Sequence, residues 1–302
     1  MKAELAPPLF WGMTDLAHEV AREAMENRAT VEVSEVENGQ ALESVHGQAL
    51  RDYKQFEQLI GGALSFLKKG HHPAGGVAVD MGSGTGVGAC ILSGFDEVEK
   101  VFAVEFSEHF VEKVMPLVFE KYNANIEKLQ RVVSDFNNLK IDDGSLGIIL
   151  DIDSFHHSED LDRTLQECQR VLAPGGVIIA IDRAWSDRYT SEQLDTKLNT
   201  EFPDHLKKKY NIPLDQHFTR RDFGEHEYTI KQWFTFFRKN GFEPSVFLLR
   251  HPPGFNRFWL RLPTFEFSIA LSSFLYRIGL RRLWAYGFTR ARVMFVCTKE
   301  LK

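Results

Sequence analysis

The sequence predicts an α/β chain built on a doubly wound, mostly parallel, Rossmann-like sheet with helices on both faces. Three observations predict it. From residue 77 onward, short β-rich runs alternate with helical stretches. The first of these runs ends in Asp80 and opens into a turn with glycine at 82, 84, 86 and 88. The composition is ordinarily globular, 43% hydrophobic and 26% charged over 302 residues, which excludes disordered and fibrous classes.

Taken in order, residues 14–30 read as an amphipathic helix with Thr14 or Asp15 as its N-cap. Residues 50–68 read as a second, interrupted by Gly61 and Gly62, and 69–73 break the chain. Strand candidates follow at 77–80, 100–105, 131–134, 146–151, 177–182, 246–250 and 293–298, with helices at 87–92, 108–123 and 161–172. This divides the chain into an N-terminal helical cap, 1–72, and a main domain, 73–302. Two stretches, about 184–227 and 251–290, are too long for ordinary connections and are expected to form a lid over a substrate.

Net charge is −6, which argues against a nucleic-acid partner. The charge is uneven. From residue 250 on, ten Lys and Arg stand against only Glu266 and Glu300, a local balance of +8 that leaves −14 on residues 1–249. Cys90, Cys168 and Cys297 form no CxxC pair, and no basic leader precedes an apolar stretch, so a cytoplasmic protein is expected. The apolar run 267–276 is too short to span a membrane. Segment 251–290, rich in Arg and Phe, suits a helix packed on the sheet, a lid for an apolar or aromatic acceptor, a homodimer interface, or a peripheral membrane contact.

The four glycines let backbone approach a bound nucleotide closely. Read from Gly84, the run GTGVGA also satisfies the GxGxxA dinucleotide pattern, so glycine spacing alone leaves NAD open. Asp80 decides against it. A carboxylate at the strand end repels a pyrophosphate and suits a cofactor with a cationic ammonium. Glu105, 23 residues beyond Gly82, stands where a carboxylate accepts the hydroxyls of a ribose.

Residues 80–86 (DMGSGTG), Glu105, Ser134-Asp135-Phe136 and 172–176 (LAPGG) resemble the successive motifs of class I S-adenosylmethionine-dependent methyltransferases. The stretch 135–150 is similar to that of the small-molecule and quinone-biosynthesis group, with Lys140 in place of the usual Pro and Gly147 in place of an acid. The resemblance covers about 75–182 and implies a seven-stranded sheet whose last strand is inserted antiparallel. It also implies S-adenosyl-L-methionine as cofactor and S-adenosyl-L-homocysteine as product. Asp80 and the turn Gly82, Ser83, Gly84, Thr85, Gly86 would hold the methionine portion, and Glu105 the ribose. Asp135 would take the adenine amino group, Phe136 would pack on the adenine ring, and Asp151 would line the site near the sulfonium. Phe106 and Ser134 complete the implied cofactor set.

For a small-molecule acceptor methylated at oxygen, a base is needed. His157, then His156, follow the fourth strand of the motif region and titrate near neutrality. Glu225 and His226 are the candidate substrate-facing residues. Asp151, Asp153, His156, His157, Glu225 and His226 could supply metal ligands, but adjacent histidines seldom converge on one ion, and no metal is expected. The competing functions are an NAD-dependent oxidoreductase and a non-methylating binder of the same cofactor.

Overall fold

A computed structural model describes residues 4–40, 50, 52–70, 72, 74–248 and 290–300. Its centre is one sheet of eight strands: β1 (Leu9–Gly12), β2 (Gly76–Met81), β3 (Val98–Glu105), β4 (Leu129–Ser134), β5 (Leu146–Ile152), β6 (Leu172–Trp185), β7 (Phe242–Leu248) and β8 (Arg290–Lys299). The spatial order is β1-β4-β3-β2-β5-β6-β8-β7. All neighbours from β1 to β6 run parallel, and β8 is antiparallel to both β6 and β7. The expected strands and the antiparallel insertion of the last one are therefore present.

The central strands are nearly continuous in Val, Ile and Leu because both faces are covered. On one face lie α2 (Tyr53–Lys69), α3 (Val87–Ser93) and α4 (Met115–Lys121), packing Phe56, Ile60, Leu67, Phe110 and Phe119 against the sheet. On the other, α5 (Leu161–Val171) and α8 (Ile230–Lys239) bury Leu165, Cys168, Trp233 and Phe237 against Phe295 of β8. In α5 the buried Leu161, Leu165 and Cys168 recur at helical spacing and form its apolar stripe. Gly61 and Gly62 do not interrupt α2, which runs through them.

Three expectations are corrected. The first helix does not begin at Thr14: α1 spans Glu19–Glu37, and His18 caps it by accepting from the Ala21 N–H at 3.1 Å. Thr14 is used elsewhere, donating to Asp135. The N-terminal segment is not purely helical either, since β1 joins the sheet edge beside β4. Side chains of β4 hold it there: Gln130 donates to the Pro7 carbonyl and Arg131 to that of Ala6, both at 2.9 Å. Finally, the helix expected over 108–123 is broken into a wide turn, Phe110–Val114, and α4, with Pro116 in the first turn of the latter.

Gly147 has a direct steric cause. A Cβ there would lie 1.8 Å from the Gly75 carbonyl oxygen, so the backbone leading into β2 leaves no room for the usual acid. Within 184–227 the chain forms α6 (Ser191–Leu198) and α7 (Asp204–Lys209) and a small aromatic cluster of Phe202, Phe218 and Phe223, with Tyr210 packed against it. The lid, dimer and membrane readings of 251–290 lie outside the described residues, apart from the backbone of Arg290 at the start of β8.

Candidate active site

The carboxyl ends of β2 to β6 open on one cavity of about 690 Å3, roofed by α1 and by residues of the 184–227 insertion. Open α/β sheets present ligand sites at this edge. Asp80, Gly82, Ser83, Gly84, Thr85, Glu105, Phe106, Ser134, Asp135 and Phe136 all line it.

The turn after β2 shows why its glycines are there. Gly84 has φ +50 and open space where a Cβ would stand, so it presents bare backbone to the cavity. Its N–H donates to Glu105 at 2.8 Å. A Cβ on Gly88 would fall 2.5 Å from an oxygen of Asp80, so glycine lets that carboxylate reach the N-terminus of α3, where it accepts from Ala89 at 2.7 Å. Gly86 caps α3, lying at its edge rather than on the cavity wall.

Asp80 and Glu105 are both buried, and burial pushes each carboxyl up to about 7 against the hydrogen bonds each accepts from backbone N–H groups. Two buried carboxyls poised near neutrality gain from a cation that arrives with the ligand. The residues therefore fit S-adenosylmethionine: open backbone at Gly84, a ribose-ready Glu105, acids for positive charge, and Phe136 beside the turn.

Asp135 is already engaged. Its Oδ1 accepts from the Asn137 N–H at 2.8 Å and its Oδ2 from Thr14. Asp151 is a correction. It is wholly buried behind the cavity wall, with Oδ1 accepting from Ser154 and from the Phe155 N–H at 2.8 Å. Burial and the neighbouring Asp182 push it well up. Ile152, Asp153 and Ser154 line the cavity in its place.

The two histidines divide. His156 is buried and held at both ring nitrogens: Nδ1 lies 2.7 Å from Asp182, and Nε2 faces the Arg183 guanidinium. That geometry has Nδ1–H donating to Asp182 and leaves Nε2 as acceptor, so His156 lines the cavity with both ring nitrogens engaged. His157 lines the cavity and touches the rings of His156 and Phe223, and its imidazole makes no hydrogen bond among the described residues. Burial lowers it to about 4, so it is neutral at pH 7.

The structure also separates Glu225 from His226. Glu225 lines the cavity beside Arg220 and lies 3.4 Å from Arg183. Burial would raise its carboxyl, but Arg183 and Arg220 outweigh that and hold it at about 2. His226 is not among the residues that line the cavity, and its backbone N–H donates to the His156 carbonyl at 2.7 Å, tying the segment to the histidine turn.

Sequence reasoning missed Arg183, Arg28, Tyr210 and Arg292, all on the cavity wall. Arg183 had a signal, an Asp-Arg pair at the end of a strand. The other three come from distant segments with no local motif. Among the described residues no group of three or more His, Cys, Asp or Glu is arranged for a metal ion, and no helix is long and apolar enough to cross a membrane.

The family described as a methyltransferase domain matches residues 79–180. No curated protein matches the chain. Solved structures resemble it at low identity. Geranyl diphosphate C-methyltransferase from Streptomyces coelicolor is 17% identical over 79% of this chain and 76% of its own, with a TM-score of 0.49. The YcgJ protein of Bacillus subtilis is 17% identical over 80% and 98%, with a TM-score of 0.48. Phosphoethanolamine N-methyltransferase 2 of Haemonchus contortus is 16% identical over 80% and 52%, also with a TM-score of 0.48. Nothing about the acceptor passes from them to this chain. The family match covers the segments that carry Asp80, Glu105, Asp135 and His157, so residues 79–180 are similar to a methyltransferase domain.

Proposed function

We propose that the protein moves a methyl group from S-adenosylmethionine to a hydroxyl oxygen of a small molecule, with His157 taking the proton. The observation that carries this reading is the imidazole of His157, neutral and without a hydrogen-bond partner among the described residues, on the same cavity as Gly84 and Glu105.

When bound, the cofactor supplies an activated methyl on a sulfonium, so no protein nucleophile is needed. The chain must bind, align, exclude water and move one proton. Glu105 and the Gly84 backbone would hold the ribose side, and Asp80 would favour the positive charge. Asp135 and Phe136 would seat the adenine. Leu16, Ala17 and Ala21 lead from the roof, and Phe110, Tyr210 and Phe223 give the acceptor end apolar walls. His157 Nδ1 or Nε2 would accept the hydroxyl proton as the oxygen–methyl bond forms and the sulfur–methyl bond breaks. Glu225, substrate-facing in this reading, stays ionised and favours the imidazolium that results. Cys90, Cys168 and Cys297 are free and buried, which suits the cytoplasm.

The test incubates the protein with cofactor carrying an isotope-labelled methyl and a panel of phenols, aliphatic alcohols and amines. Label should appear on hydroxyl oxygen and fall sharply in His157→Ala. Transfer to nitrogen or carbon alone, or full turnover by His157→Ala, would overturn the oxygen and base assignments respectively. A thermal shift with NADH and none with S-adenosylhomocysteine would overturn the reading as a whole.

A further inference from the structure

Asp153 follows β5 with φ +53, a left-handed backbone that non-glycine residues seldom adopt. Such conformations cluster at functional sites, where the surrounding structure enforces them. Here the enforcement is visible. The Asp153 N–H donates to the Ile181 carbonyl at 2.9 Å, and its Oδ2 is paired with Arg292 of β8. Arg292 in turn is fixed by Asp52 at 3.2 Å and by the ring of Phe56, whose centre lies 5.3 Å from its guanidinium carbon. The carboxylate is thereby locked, yet its other oxygen, Oδ1, is buried and has no hydrogen-bond partner among the described residues.

Arg183 is the complement. Its Nη2 is spent on His156 and Glu225, while its Nε is buried and also unpartnered. Both residues line the cavity, and each is among the charges that act on the other. A buried acceptor and a buried donor, both unpaired among the described residues, thus belong to two residues that line the same cavity. Buried polar groups are almost always hydrogen-bonded, and orphans of this kind call for an explanation.

We propose that Asp153 Oδ1 and Arg183 Nε form an anchor for an uncharged group of the acceptor that both donates and accepts a hydrogen bond, a second hydroxyl or a primary carboxamide. This rests on the cavity being the acceptor site, as argued above. The chemistry excludes the alternatives. A carboxylate or phosphate satisfies Arg183 but meets Asp153 with like charge, and Asp153, Asp182 and Glu225 already surround the guanidinium. An ammonium satisfies Asp153 but meets Arg183 in the same way. An ether or a hydrocarbon leaves Asp153 Oδ1 buried and unpaired. The acceptor is therefore an apolar or aromatic molecule with a hydroxyl to methylate and a separate neutral polar handle that stays unmethylated.

Ligand-observed NMR on the S-adenosylhomocysteine-loaded protein tests this with benzyl alcohol, benzamide, benzoate, benzylamine and toluene as probes. Benzamide and benzyl alcohol should bind about tenfold or more tightly than the other three, the usual cost of an unpaired buried group. Arg183→Lys keeps the charge toward Glu225 but replaces Nε by a methylene, and Asp153→Asn keeps a side chain that tolerates positive φ. Each should collapse the preference to within about twofold, with a thermal shift by S-adenosylhomocysteine reporting that the variant is folded. Equal binding of benzoate and benzamide, or an unchanged preference in Arg183→Lys, overturns the anchor. So does the absence of any preference in the wild type, which would mean that water alone bridges the pair. Loss of the S-adenosylhomocysteine shift in the wild type would instead overturn the cofactor reading on which the anchor rests.

Discussion

Thr14 donates to the same oxygen of Asp135 twice, from its backbone N–H at 2.7 Å and from its hydroxyl at 2.5 Å. The two residues are 121 positions apart in sequence, and the contact fastens the chain between β1 and α1 across the cavity beside Asp135 and Phe136. Glu26 fastens the other end of the roof, accepting from the N–H groups of Glu108 and His109. The carboxylate proposed to take the adenine amino group is therefore also the one that holds this part of the roof.

Asp135→Ala should consequently have two effects. Affinity for S-adenosylhomocysteine should fall about tenfold, and hydrogen exchange over Leu9–Gly12 should accelerate as the latch is lost. Thr14→Val removes one of the two donors to Oδ2 and should speed exchange while leaving affinity within about threefold. Isothermal titration and exchange mass spectrometry measure the pair. Unaltered exchange in both variants would mean that Thr14 does not hold the roof.

Asp80 makes a second prediction through its charge. Its carboxyl rises from 3.8 to about 7 on folding, so the folded chain holds that proton more tightly than the unfolded one. Stability from this group is thus fully present below about pH 4, declines as pH rises toward 7, and is level above. Asp80→Asn, which keeps an acceptor for the Ala89 N–H, should be more stable than wild type at pH 8 by on the order of 2–4 kcal/mol and equal to it near pH 4. The same variant should lose affinity for S-adenosylmethionine. Urea titrations at the two pH values decide it, and an unstabilised variant at pH 8 would show that Asp80 is not poised near neutrality.

Much of this was legible in the sequence, for local reasons. The strands after residue 76 are short apolar runs bounded by glycine and charge, and each site residue supplied by a strand end, Asp80, Glu105 or Asp135, is adjacent to the run that positions it. What escaped the sequence is non-local. Strand β1 is four residues long with Leu9 and Phe10 exposed, so it has no periodicity to read, and it is held by Gln130 and Arg131 from another strand. Arg28, Tyr210 and Arg292 reach the cavity from three separate segments. Asp151 looked like a wall residue because strand ends face the site, yet its carboxylate is taken up by Ser154 and the Phe155 N–H, and Ile152, Asp153 and Ser154 line the cavity instead.

Glu225 tests how the charged end of the cavity is held. It lies between Arg183 and Arg220, which keep its carboxyl at about 2 although burial opposes them. A depressed acid contributes stability that is present above about pH 4.5 and lost only as pH falls toward 2, so the pair should be indifferent to pH from 5 to 8. Glu225→Gln leaves two arginines without their shared carboxylate and should cost about 3 kcal/mol in a denaturant titration at pH 7. A loss below about 0.5 kcal/mol would show that solvent or Glu227 compensates both cations.

His157 gives the prediction that bears on chemistry. An ordinary histidine base would produce an acid limb near its usual 6.5, but burial has lowered this one to about 4. It is neutral and competent above that value, so turnover at saturating cofactor and acceptor should hold steady from pH 8 to 5 and fall only as pH approaches 4. Asp80 and Glu105, both near 7 in the free protein, are the groups proposed to bind the cofactor, so kcat/KM for the cofactor should fall as pH drops through 7. The two profiles must therefore separate, with kcat flat where kcat/KM is already declining. His157→Ala should lower kcat by about 100-fold with little change in cofactor affinity. An acid limb in kcat near 6.5 that disappears in His157→Ala would place the imidazole in water rather than in the closed cavity, and the apolar wall of Phe223 against it would then be open during turnover.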